Sequence, residues 1–307
     1  MRLIYTTTLI TLAVMVTFSL ATSLFSTRHI QRSYESLEDN IALNNLGRVN
    51  YAIADRLAAL EKTAADWGIW DDTYNFIQTG DQSYIDLNLS QEYFTRMNLG
   101  LIAFFDTSNQ MVFYLSLDTE TEQMMELRSE DLSELQRFIP VSLESHKIKN
   151  SGIISLYDRL MLVTSHPILR SDNRGPASGT ILKGTWLDER LVNEIAHSTR
   201  LNFTILPFSP TELRGLSGES LHPLVSGGQT LIVKPDIRTL NAYELVNDYK
   251  NNPVLINQIS EPRDAYAQGR QVIAWWNTVL LALAIIFVGM LIILIYLLII
   301  RRLQRLT

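Results

Sequence analysis

The stretch VIAWWNTVLLALAIIFVGMLIILIYLLII, Val272–Ile300, decides the architecture of this chain. Its 29 residues include no charge. A helix crosses a bilayer with about 20 apolar residues, so 272–300 is expected to be a transmembrane helix. Trp275 and Trp276 stand near its start, where aromatic side chains anchor at membrane interfaces. Arg301, Arg302 and Arg305 follow at once. Flanks rich in Lys and Arg stay on the cytoplasmic side, so 301–307 is expected to begin a cytoplasmic linker.

A second apolar segment, 3–25, stands at the other end, and all 32 Asp and Glu of the chain lie between the two. This layout predicts a two-pass protein of the inner (cell) membrane, in contact with lipid. Its large domain, 26–271, is then extracytoplasmic and both termini are cytoplasmic. Only Arg2 precedes the first segment, while Arg28 and Arg32 follow it, so the second span sets the orientation. A cleaved signal peptide is the rival reading, because Ala21-Thr22-Ser23 is a small-x-small site. The apolar run exceeds the usual ~7–15 residues of such peptides, and a retained anchor is the reading adopted.

The loop holds 22 Lys and Arg against 32 Asp and Glu, an acidic balance that argues against nucleic acid as a partner. The absence of cysteine excludes disulfides, thiolate chemistry and Cys-bound zinc. His29, His146, His166, His197 and His222 are scattered, with no metal-binding pair. There is no phosphate-binding glycine loop and no G-x-S-x-G elbow. No catalytic residue, metal site or cofactor is expected, and the chain does not read as an enzyme.

Within the loop, apolar residues recur at steps of three and four from Ile30 to Tyr74. They predict one long helix over 26–77, with a bend near Gly47. A mixed α+β region, 80–262, follows. Its strands are expected at Leu99–Phe105, Met111–Leu117, Gly152–Leu156, Leu160–Ser165, Gly179–Trp186, Phe203–Leu206, Thr230–Lys234, Ala242–Asp248 and Val254–Ile259. Helices are expected at Gln91–Met97, over Asp118–Ile139, and at Glu189–Thr199 behind an Asp188 cap. Pro262 ends the sheet, and Arg263–Gln271 starts a helix that runs into the second span. The fold class is α+β with antiparallel strands, flanked by two transmembrane helices.

The densest cluster of unusual residues is Asp66-Trp67-Gly68-Ile69-Trp70-Asp71-Asp72-Thr73-Tyr74. On a continuous helix Trp67, Trp70 and Tyr74 share a face. Aromatic walls beside Asp71 and Asp72 suit a small, cationic ligand. The plainer reading is that the two Trp anchor a helix on a sheet while the carboxylates cap or pair. The two readings are compatible, and Trp67, Trp70, Asp71, Asp72 and Tyr74 are the candidate ligand-binding residues.

The pattern Trp67-x-x-Trp70-Asp71-Asp72-x-Tyr74, followed by Tyr84 and Asn88-Leu89, resembles the type-4 CHASE extracellular sensor domain. Further pieces fit in the same order. They are Asp158-Arg159 through Thr164-Ser165 to Pro167-Ile168, then Gly175-Pro176-x-x-Gly179 through Gly184-x-Trp186-Leu187-Asp188. The run Tyr243–Pro253 and Pro262-Arg263-x-x-Tyr266-x-Gln268-Gly269 complete the match, which covers about Asn40 to Gly269. The resemblance implies a PAS-like, Cache-related sensor, with one antiparallel sheet and a long N-terminal helix behind it. It implies a place in bacterial transmembrane receptors whose outputs are diguanylate cyclases, phosphodiesterases or histidine kinases. No such output follows the second span, so the chain is expected to be an input module. It would form a homodimer through Ile30–Ile41, bind a small-molecule ligand and pass a shift through the membrane. The alternative is a periplasmic partner-binding module that uses no small molecule.

Overall fold

A computed structural model describes residues 2–140, 150–209, 213–216, 218, 220–226 and 228–303. The last four positions of the expected linker, 304–307, lie outside the described residues, as does His146.

The chain opens with α1 (Arg2–Gly68), a 67-residue helix that takes in the whole first apolar segment. It is helical through Gly47, and the interruption comes at Ile69–Trp70. There the backbone extends, with Trp70 at φ −148° and ψ 129°. The helical stretch predicted as 26–77 is therefore two helices, α1 and α2 (Asp71–Thr79). Two short helices follow, α3 (Gln82–Asn88) and α4 (Gln91–Met97), capped by the side chains of Asp81 and Ser90.

Next come β1 (Leu101–Asp106), β2 (Met111–Asp118) and the two-residue β3 (Gln123–Met124). The stretch Asp118–Ile139 is helical only in α5 (Ser129–Phe138). Its first part turns back as β3 to pair with β2, so the strand edge takes residues assigned to a helix. Strands β4 (Asn150–Leu156), β5 (Arg159–Ile168) and β6 (Gly179–Trp186) complete a six-stranded sheet in the order β3-β2-β1-β6-β5-β4. Helix α6 (Glu189–Thr199) begins at Asp188, whose carboxylate accepts the Leu191 N–H.

After it stand β7 (Phe203–Pro207), α7 (His222–Ser226), β8 (Thr230–Val233), β9 (Thr239–Asn247) and β10 (Pro253–Pro262). The four strands form a second sheet, ordered β7-β10-β9-β8. The PAS-like, antiparallel expectation holds for the first sheet with its long N-terminal helix. The expectation of a single sheet does not, because the strands after α6 pair among themselves.

Successive side chains of a strand point to opposite faces, and the first sheet is covered on both. Ile102, Phe104, Ile168 and Ile181 face Leu60, Phe76, Ile77, Tyr84 and Phe94 from the helical side. Leu101, Ala103, Phe105, Leu182 and Trp186 pack against Leu135 and Phe138 of α5. Two covered faces explain why β1 is apolar at every position from Leu101 to Phe105. Each fully buried Phe or Leu here contributes about 1.5–3 kcal/mol.

The β4–β5 hairpin closes through Tyr157 and Asp158, both left-handed at φ 52° and 62°. Two-residue hairpin loops favour this backbone, but side chains other than Gly, Asn and Asp resist it. Asp131 of α5 holds it by accepting the Tyr157 N–H at 2.8 Å, and Arg128 reaches Asp158 at 3.0 Å. Burial pulls the Asp131 carboxyl upward, yet the bonds from Arg128 and Tyr157 overcome this and hold it below the usual range.

The last described element is α8 (Asp264–Leu303), 40 residues that start two positions after β10. Both α1 and α8 are long and apolar enough to cross a membrane, and their most apolar stretches bury nothing inside the chain. By its contacts the chain divides into two compact units. One comprises 1–43, 234–240 and 261–307, and the other 44–233 and 241–260.

Candidate functional site

Helix α1 ends where its backbone meets Leu169, the residue after β5. The Gly68 carbonyl accepts the Leu169 N–H at 2.7 Å, and Ile69 bridges Leu169 in parallel. A Cβ at Gly68 would lie 2.6 Å from His166 Nδ1 and 2.9 Å from the Pro167 carbonyl. Only glycine allows that approach. Asp71 secures the next turn: its carboxylate accepts the Ser171 N–H at 3.2 Å, while its own N–H donates to Ser171 Oγ at 3.1 Å.

This break changes how the candidate residues meet. Trp67 is on the last turn of α1, Trp70 is in the extended link, and Tyr74 is inside α2, so the three do not share one helix face. Trp67 and Trp70 still come together edge to face, with ring centroids 6.2 Å apart. Tyr74 is buried elsewhere, under the Arg170 guanidinium, 4.5 Å from its ring. Asp72 is exposed, and Asp71 is half-buried in its bond to Ser171.

The ring that joins the two tryptophans is Tyr84 of α3. Its centroid lies 5.9 Å from Trp70 and 6.5 Å from Trp67, and it stacks on Phe76 at 4.5 Å. Its hydroxyl shares a 2.7 Å hydrogen bond with Thr73 Oγ1. Burial pushes that hydroxyl up to about 12, with Asp72 adding to the effect. Tyr93 of α4 closes the cluster at 5.2 Å from Trp67.

At the centre stands a residue that the aromatic pattern did not signal. Lys183 of β6 is fully buried. It points to the same face as Ile181, between Ile102 of β1 and Thr164 of β5. Its ammonium donates to the Thr63 carbonyl at 3.2 Å, 4.3 Å from the Trp67 ring and 5.8 Å from Tyr93. Among the described residues no carboxylate forms an ion pair with it. Burial brings its pKa down to about 7, against a smaller upward pull from Asp66. A signal was present in the sequence: Lys183 is the one charged residue in the strand Gly179–Trp186. A cavity of about 220 Å³ adjoins Thr63, lined also by Leu60, Asn98, Leu99, Thr185 and Leu191.

Chemically, the cluster is an aromatic cage already occupied by the protein's own cation. Two other motif residues, Arg159 and Trp186, meet where β5 begins and β6 ends. Arg159 lies 4.6 Å over the Trp186 ring and pairs with Asp118 at 3.3 Å, and Trp186 Nε1 donates to the Leu117 carbonyl at 2.8 Å.

The fold has a counterpart among solved structures. The extracellular domain of a protein assigned as a histidine kinase, vpHK1S-Z8, superposes over 80% of this chain and 95% of its own length. The TM-score is 0.50 at 15% identity, a likeness of fold. A domain of a Vibrio parahaemolyticus protein assigned to the sensory box/GGDEF family aligns over 75% of this chain and 98% of its own length, with TM-score 0.47 and 16% identity. In sequence, the chain is 24% identical over 256 residues to the methanogenesis regulatory histidine kinase FilI of Methanothrix harundinacea. The match takes in 83% of this chain, which spans 28% of that relative's length. The CHASE4 domain matches residues 52–206, from the middle of α1 to β7, just over half of the 307 residues. That segment contains the whole six-stranded sheet and the Trp67–Lys183 cluster, and the chain belongs to the CHASE4 domain family.

Proposed function

We propose that the chain is the extracytoplasmic input module of a transmembrane signalling receptor. One observation carries this reading: a CHASE4 sensor domain lies between two helices that are each apolar enough to span a membrane. Helix α1 is unbroken from its apolar segment to the sheet bridge at Ile69, and α8 starts at Asp264, directly after β10. In this reading both termini are cytoplasmic, following Arg301, Arg302 and Arg305. The receptor works as a homodimer, with Ile30, Leu37 and Ile41 of α1 against a second copy. It governs a histidine kinase or a cyclic-di-GMP enzyme, as the name of the Methanothrix relative suggests for the first of these.

The responsive element is the end of α1, where Trp67, Trp70, Asp71, Asp72 and Tyr74 join helix to sheet. A small molecule acting here competes with Lys183 and Arg170 for the ring faces. It shifts the balance of states only by its differential affinity for them.

The absence of cysteine gives a direct test of topology. Leu87 is 81% exposed on α3, so Leu87→Cys should react with a membrane-impermeant maleimide on intact cells. Leu303→Cys should react only after permeabilisation. The opposite pattern sinks the reading. For the ligand, the full chain in nanodiscs is screened by thermal shift, where a compound at 100 times its Kd stabilises by ~2.7 kcal/mol. A shift abolished by Trp70→Ala and Asp71→Ala supports the site, and an unchanged shift removes it.

A further inference from the structure

The motif Pro262-Arg263-x-x-Tyr266-x-Gln268-Gly269 has no part in the aromatic cluster, and the structure shows what it builds. Glu38, on α1, is buried. Its carboxylate accepts three hydrogen bonds from the start of α8 or next to it. Arg263 Nε and Nη2 both reach Oε2 at 3.0 Å, and the Tyr266 N–H reaches Oε1 at 2.8 Å. Arg263 is buried as well, lies 4.1 Å over the Tyr266 ring and donates to the Asp236 carbonyl at 3.4 Å. Beside this pair, Lys234 bonds Asp39 at 2.7 Å. One turn on, Gly269 faces Tyr34, and a Cβ there would sit 2.7 Å from ring carbons.

The first amides of a helix have no partner within it and need an outside acceptor. The amide of Tyr266, third residue of α8, finds that acceptor on another helix. A carboxylate at this end also meets the favourable pole of the helix dipole. We propose that Glu38, Arg263 and Tyr266 form a transmission latch, through which α1 sets the start and the register of α8. While Glu38 holds all three donors the two helices move as one body at this level. A state in which Glu38 withdraws frees the first turn of α8. The role in transmission rests on the receptor reading above; the latch itself is read without ligand or output domain, so the two fail separately.

The experiment uses the full chain in lipid nanodiscs. Tyr34→Cys with Gly269→Cys places two Cβ atoms near disulfide range, since a Cβ at Gly269 lies 3.1 Å from that of Tyr34. This pair should oxidise readily, and adding Glu38→Ala should reduce the yield severalfold. Hydrogen exchange over 264–268 should quicken by about tenfold in Glu38→Ala, with β6 amides unchanged. Unchanged crosslinking and exchange overturn the latch. If β6 amides also lose protection the variant has unfolded, and Glu38→Gln, which keeps shape and an acceptor oxygen, decides. Faster exchange at 264–268 over a protected β6 supports the latch, and unchanged exchange overturns it. The reversal Glu38→Arg with Arg263→Glu should recover part of the crosslink, and no recovery rejects a charge-based latch.

Discussion

Two buried cations in this chain are treated in opposite ways. Arg263 meets a buried carboxylate through two N–H groups and a backbone carbonyl through a third. Lys183 meets one backbone carbonyl and two aromatic faces. The first arrangement sets a buried charge against an opposite one. The second brings an ammonium to the edge of neutrality. A matched ion suits a mechanical joint, whereas a poorly compensated one suits a site that responds to its surroundings.

The comparison breaks most visibly at the joint. Glu38→Ala leaves Arg263 buried without its counterion and should cost about 3–5 kcal/mol in denaturant unfolding. A loss under about 1 kcal/mol would put Glu38 among surface pairs. Lys183→Met should do the reverse and raise stability at pH 6 by about 1–4 kcal/mol, since it removes an uncompensated charge and keeps the volume.

The same lysine predicts a pH dependence. Its folded pKa of about 7 lies below the ordinary 10.5, so between these values the unfolded chain binds more protons. The cost of burying the charge is present in full below pH 7. It is relieved as pH climbs toward 10.5, at no more than ~1.4 kcal/mol per unit. Melting followed from pH 6 to 9 should show this rise in the native chain and lose it in Lys183→Met. A flat profile in both would show that Lys183 is solvated.

Smaller effects sharpen the boundary of the site. Gly68→Ala pushes a methyl into His166 and Pro167 and should cost about 1–3 kcal/mol. Tyr84→Phe removes one partner of the Thr73 hydrogen bond and should cost about 1 kcal/mol with the rings still stacked.

Much of the fold was legible where local chemistry decides. Gly179–Trp186, Gln91–Met97 and Glu189–Thr199 appear at the expected residues, the last behind its Asp188 cap. The break at Ile69 was not legible, because the helical period continues through Trp67, Trp70 and Tyr74. What ends the helix is Leu169, 100 positions away. The site was half legible for the same reason. The two tryptophans signalled themselves, but the cation between Trp67 and Tyr93 comes from β6, which only tertiary pairing brings there. Strand β9 begins at Thr239, three residues before expected.

The tie of Gly68 and Ile69 to Leu169, the residue after β5, also makes α1 a gauge. A helix whose last carbonyl is spoken for by a distant residue cannot gain or lose one residue quietly. Each insertion turns everything before it by about 100° and displaces it by 1.5 Å. Changes of about seven or eleven residues, close to two or three whole turns, restore the original facing to within about 20°. Natural length variation in this helix should therefore favour such steps over single residues.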